Sequence, residues 1–161
     1  MNEPLSEREN HLVAFFGDQS SYYLEEYRHQ HIGRKWSFNL GSFFFGFLWF
    51  IYRKMYVLAL GFFLLTMMSS QLEVFIYTRF EVDFQIRKAA SYLVPLIWAF
   101  ASGFSGNYFY ARHATTKVDA VIQTYPNEEQ RLVALKHQGG TTNLVYLVAA
   151  ILILFYFFLL S

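Results

Sequence analysis

The stretch WSFNLGSFFFGFLWFIYRKMYVLALGFFLLTMMSSQL, Trp36 to Leu72, decides the fold, because it is too apolar to stand in water and only Arg53 and Lys54 interrupt its charge-free run. From Met55 to Leu72 there is no charge at all, and a run of about 18 such residues is the shortest that reads as a membrane-crossing helix. Two further apolar runs, Ala89–Tyr110 and Leu144–Leu160, lie downstream. With 55% of residues hydrophobic and only 16% charged, the 161-residue chain has little left for a water-soluble core. The expected fold is an all-α integral membrane protein.

The threading follows from length and charge. Ser37–Tyr52 spans 16 residues, about 24 Å at about 1.5 Å per residue, short of a hydrocarbon core of about 30 Å. If it lies in the interface or re-enters, ten of the thirteen Lys and Arg residues fall on one face, among them Arg34, Lys35, Arg53, Lys54, Arg112 and Lys136, against Arg79, Arg87 and Lys88 on the other. If it crosses, the division is seven to six and points nowhere. Lys and Arg stay on the cytoplasmic side, so the first threading is preferred. It gives three transmembrane helices at 55–77, 89–110 and 144–160, an aromatic-rich half-helix at 37–52, an inside N-terminus and an outside C-terminus.

Two polar regions complete the chain. Residues 1–35 read as a cytoplasmic region of short amphipathic helices ahead of the 36–161 membrane domain. Ser6 and Glu9 match a capping box, Leu12, Val13, Phe15 and Phe16 form an apolar stripe, and Gly17 ends it. Asp18, Ser20 or Ser21 caps a second helix carrying Tyr23, Leu24, Tyr27 and His31, with Gly33 as its stop. Its acidic residues rule out a cleavable export signal. The cytoplasmic loop 111–143 continues the second span as an amphipathic rod through Val118, Val121 and Ile122, stops at Pro126, and restarts as a helix capped by Asn127 that closes at Gly139.

Candidate functional residues cluster at the interface. Trp36, Trp49, Tyr52 and Tyr56 are rings suited to the headgroup layer, and Arg53 and Lys54 add charge that an anionic leaflet attracts, at about 1 kcal/mol per basic residue. These six are expected to anchor the chain and to contact the lipid bilayer, including anionic phospholipid. In the second span Gly103 and Gly106 permit close helix approach and Asn107 supplies interhelical hydrogen bonds, a packing face toward another span or another copy. Glu73, near the outer end of its span, is read as reaching the headgroups.

Enzymatic and nucleic-acid chemistry find little support. A net charge of +1 offers no concentrated basic face for phosphates, and zero cysteines exclude disulfides and thiolate ligands. HExxH, P-loop and GxSxG motifs are absent, His29 and His31 point to different sides of a helix, and His11 stands alone. Gly139 and Gly140 before Thr141 read as a helix stop followed by a cap rather than as a phosphate loop. No metal, cofactor or catalytic residue is expected.

The segments SSYYLEEY (Ser20–Tyr27), WSFNLGSFFFGFLWFIYRKMY (Trp36–Tyr56), GFSGNYFY (Gly103–Tyr110) and GGTTN (Gly139–Asn143) resemble the bacterial membrane family known as domain of unknown function 2628. The resemblance implies a small multi-pass inner-membrane protein and brings no activity with it. One departure is Phe47, where similar sequences often place a proline. The expected role is contact with a membrane partner, a second copy or anionic lipid. Alternatives are an oligomeric transport component, which would use Glu73 and Asn107, and a lipid-modifying enzyme built on interfacial His and Glu residues.

Overall fold

The computed structural model describes residues 5–34 and 36–160, with side chains to Phe158, and the described residues form helices without strands. Lys35, counted above among the cytoplasmic charges, lies outside them, as do residues 1–4 of the N-terminal region.

Helix α1 (Glu7–Phe16) begins as its sequence dictates. Ser6 Oγ accepts the Glu9 amide at 3.2 Å while Glu9 Oε2 accepts the Ser6 amide at 2.9 Å, the reciprocal capping box. A 3₁₀ turn (Gly17–Gln19) leads into α2 (Ser20–His31), so the second helix starts without any of the side-chain caps expected from Asp18, Ser20 or Ser21. Tyr23, Leu24 and Tyr27 are buried, whereas His31 stays exposed and bonds back to the Tyr27 carbonyl.

The aromatic run folds into two six-residue helices, α3 (Leu40–Phe45) and α4 (Phe47–Tyr52), broken at Gly46, whose φ of +50° an L side chain adopts at a penalty. Each is only about 9 Å long. Asn39 caps α3 by accepting the Ser42 amide at 2.7 Å. After α4 the chain reverses through Arg53 and Lys54, the latter at φ 60°, a conformation that costs a non-glycine residue about 1 kcal/mol. Helix α5 (Tyr56–Arg79) then runs back along α4.

Helix α5 reaches about 36 Å and α6 (Phe84–Thr124) about 60 Å, at about 1.5 Å per residue. Both are long and apolar enough to cross a membrane, yet only 6% and 17% of their most apolar windows are buried, so neither is the core helix of a water-soluble domain. Val57 on α5 is 89% exposed. The apolar part of α8 (Leu144–Leu160) is shorter, and Phe158 near its end is 75% exposed. Two helices thus meet the length and hydropathy required for crossing where the sequence suggested three spans.

Beyond Ser102, α6 changes character. Tyr110, Ala114, Val118 and Val121 turn into a core shared with Leu12, Phe15 and Phe16 of α1, Tyr23 of α2 and Leu135 of α7 (Glu128–Gln138). Gly139 closes this layer, because a Cβ there would fall 2.0 Å from the Phe15 carbonyl oxygen, which also accepts the Gly140 amide at 2.8 Å. Thr142 Oγ1 then accepts the Leu144 amide at 3.3 Å at the start of α8. The Gly-Gly-Thr-Thr segment is occupied by its own backbone contacts.

Candidate functional site

The site is assembled around α3, which lies against the middle of α6. Ser42 and Ser102 exchange hydrogen bonds, with their hydroxyls 2.7 Å apart and Ser102 Oγ donating to the Ser42 carbonyl at 2.9 Å. Cβ atoms at Gly103 and Gly106 would lie 2.7 Å from the Phe38 ring and from Ser42 Cβ. The small-residue face of α6 therefore meets the aromatic segment of the same chain. Asn107, 1% exposed, accepts from Asn39 Nδ2 at 2.6 Å and donates to the Tyr22 hydroxyl at 2.7 Å and to Ser37 Oγ at 2.9 Å. Both its amide hydrogens and its carbonyl oxygen are engaged, which makes it a clasp between α2, α3 and α6. The Ser37 hydroxyl in turn donates a hydrogen bond to the Glu26 carboxylate.

Beside this clasp opens a cavity of about 860 Å³ between α2, α3–α4 and α8. Its polar side presents Asp18, Gln19, Ser21 and Arg53; its apolar side presents Phe45, Leu48, Val145 and Ala149. A space of that size with one polar end is the usual form of a small-molecule site.

Arg53 is the central group. It is 3% exposed, and its guanidinium carbon lies 4.6, 5.1 and 5.5 Å from the ring centres of Tyr23, Tyr110 and Tyr52. Nη2 donates to the Tyr23 hydroxyl at 3.0 Å and to Gln19 Oε1, while Nε is buried without a partner. Among the described residues no carboxylate pairs with it. Burying an ion costs several kcal/mol, and three desolvated cation–π contacts at about 2 kcal/mol each offset an amount of that order. The rings thus make the buried cation tolerable without neutralising it. Burial pushes the Tyr23 hydroxyl above its ordinary value although Arg53 acts against this, so the phenol stays neutral and its oxygen accepts a hydrogen bond from the guanidinium.

The predicted anchoring set divides in two. Trp36 and Tyr56 are exposed, at 60% and 47%, and Trp36 stacks on Tyr108. Trp49 and Arg53 are buried in the protein, at 6% and 3% exposure, with the guanidinium among the rings of Tyr23, Tyr52 and Tyr110. Tyr52 forms part of that cage, and Lys54 Nζ donates to the His137 carbonyl at 2.9 Å. Glu73 is half-buried and accepts from the Tyr77 hydroxyl at 3.1 Å.

Several site residues escape sequence reasoning. Gln19 and Tyr110 come from different elements and carry no local pattern, and Tyr23 was legible as part of the α2 stripe but not as a partner of Arg53; Asn39 had a signal, as the only amide amid an aromatic run. His11, fully buried, is met by both Glu128 oxygens at 2.9 and 3.0 Å. With Glu7 these groups bring three ligand-type atoms within 4.8 Å of one another. Arg131 stands 3.7 Å from the Glu7 carboxylate and 3.6 Å from that of Glu128, so the place a metal ion would take already receives a guanidinium.

No curated protein and no solved structure matches this chain. A family model described as "Protein of unknown function (DUF2628)" matches residues 7–115, from the first residue of α1 into α6, and so takes in Gln19, Tyr23, Arg53, Asn107 and Tyr110 but not α7 or the α8 wall of the cavity. The match covers more than half of the chain, which therefore belongs to this DUF2628 family.

Proposed function

We propose that the chain is a non-enzymatic, multi-pass protein of the bacterial inner membrane that acts by contact, holding an anionic amphiphile of the cytoplasmic leaflet beside Arg53. The observation that carries this reading is a buried guanidinium that makes no ion pair among the described residues, at the polar end of a cavity whose other wall is apolar, with the exposed Asp18 on the same rim unpaired to it. An anionic headgroup would supply the missing charge, and an acyl chain would follow Phe45, Leu48, Val145 and Ala149.

Three spans with the N-terminus inside remain part of the proposal. The hydrogen bond from Lys54 to His137 supports it, since the α4–α5 turn and the end of α7 must then share one side of any bilayer. The ion pair between Arg8 and Asp119 at 2.9 Å adds the residues before Ser37 to that same side, which favours the threading in which Ser37–Tyr52 does not cross. A second reading, an oligomeric permeation component, is favoured by a polar cleft at Glu73 between α3, α5 and α6.

The test is native mass spectrometry of the chain released from nanodiscs of mixed phosphatidylglycerol and phosphatidylcholine. Phosphatidylglycerol should be retained selectively, and both Arg53→Gln and Ala149→Trp, which fills the cavity from α8 away from the ring cage, should abolish the selectivity. Equal retention of the two lipids by the unmodified chain would refute the reading.

A further inference from the structure

A second space in the fold carries the opposite charge. It is a cleft of about 530 Å³ between α3, α5 and α6, with Phe43, Phe62 and Trp98 in its walls and Glu73 and the hydroxyls of Thr66, Ser69, Ser70 and Ser91 as its polar groups. The indole of Trp98 is fixed, donating through Nε1 to Ser69 Oγ at 3.2 Å and meeting the Phe62 ring edge-on at 5.5 Å. Among the described residues no basic side chain pairs with the Glu73 carboxylate, which accepts only from Tyr77. Pro95, also in the wall, has no N–H to give the carbonyl of Ser91, another wall residue.

We infer that this cleft binds a lipophilic organic cation, with Glu73 as its counter-charge and the aromatic walls as its seat. The chemistry selects this ligand class over its competitors. Ring faces repel anions and attract cations, which disfavours a second phosphate site. A bare metal ion would exchange its water for a single carboxylate and a few hydroxyls, with aromatic rings occupying the remaining directions. A proton alone needs no room, and a neutral lipid makes no use of an acid held in apolar surroundings, which is expensive to keep there without a partner. An organic cation uses the charge, the rings and the volume together. The inference is independent of the cavity at Arg53, whose charge has the other sign.

The probe is tetraphenylphosphonium, titrated calorimetrically against the full chain in phosphatidylcholine nanodiscs, with tetraphenylborate as an anion of the same shape. The phosphonium should bind saturably, at least tenfold more tightly than the borate. Glu73→Gln should reduce affinity tenfold or more while Ala149→Trp leaves it unchanged. Equal binding of the two ions by the unmodified chain would overturn the inference whatever the stability of the variants, and so would undiminished affinity in a folded Glu73→Gln protein.

Discussion

Replacing Gly106 by alanine isolates the contact on which the whole arrangement of α3 against α6 rests. The added Cβ would lie 2.7 Å from Ser42 Cβ and 2.8 Å from Ser42 Oγ, and the stem of a helical side chain cannot swing away as a long side chain could. Helix α3 must therefore retreat, which loosens the hydroxyl pair between Ser42 and Ser102. Overpacking of this kind costs about 1–3 kcal/mol, and each weakened neutral hydrogen bond adds about 1 kcal/mol. The better helix propensity of alanine returns about 1 kcal/mol. The net destabilisation is about 2 kcal/mol, or about 4–8 °C in melting temperature for a chain of this size. Gly61→Ala on α5 is the matched control, because a Cβ there meets nothing within 4 Å and only the propensity gain remains. Thermal unfolding followed by tryptophan fluorescence in nanodiscs should show Gly106→Ala melting lower and Gly61→Ala unchanged or higher. Equal melting temperatures for the two variants would show that α3 does not pack on α6 as described.

Three further outcomes are expected. Asn107→Leu keeps the branched outline of the side chain but strands Asn39 Nδ2 and the partners on Tyr22 and Ser37, and should destabilise by about 2–4 kcal/mol in a denaturant titration; a loss under about 0.5 kcal/mol would mean that the clasp does not form. The Glu9 carboxyl is held at about 2, against an ordinary 4.5, chiefly by the Arg28 guanidinium and then by the Ser6 amide. A depressed folded value means that its stabilisation is complete above about 4.5 and lost as the pH falls toward about 2, so Glu9→Gln should lower stability at neutral pH, flatten the acid limb in that window, and match the unmodified chain at the acid end of it. Because the chain contains no cysteine, single cysteines at Lys54 and Lys136 can be labelled with an impermeant maleimide in oriented membranes; both should react from the cytoplasmic side, and labelling from opposite sides would break the proposed threading.

Local features were legible wherever the responsible groups sit close in sequence. The capping box at Ser6 and Glu9, the long apolar run after Met55, and the continuation of the second apolar helix past Tyr110 each depend on spacing within a few turns. The break in the aromatic run at Gly46 was less visible, since Phe47 would equally continue a helix; what divides α3 from α4 is the positive φ at Gly46, with Ser42 and Asn39 bound to α6 on one side and Trp49 buried on the other. The site was half legible. Asn107, Gly103 and Gly106 stood out as a packing face, but that face meets residues 38–43 of the same chain. Arg53 stood out as well, in the opposite orientation: a basic residue beside aromatics suits a headgroup layer and a ring cage equally, and its direction depends on a turn that composition does not specify.

Taken alone, the sequence determined an all-helical chain with helices too apolar for water, where several of those helices start and stop, and an excess of positive charge near the aromatic segment, because hydropathy, capping and glycine chemistry act over a few residues. Tertiary structure decided that Arg53 turns inward to Tyr23 and Tyr110, that Asn39 finds Asn107, and that His11 meets Glu128. These partners lie tens to more than a hundred residues apart. A buried polar or charged group has to find compensation in whichever helix packing brings alongside it, and no local pattern names that helix.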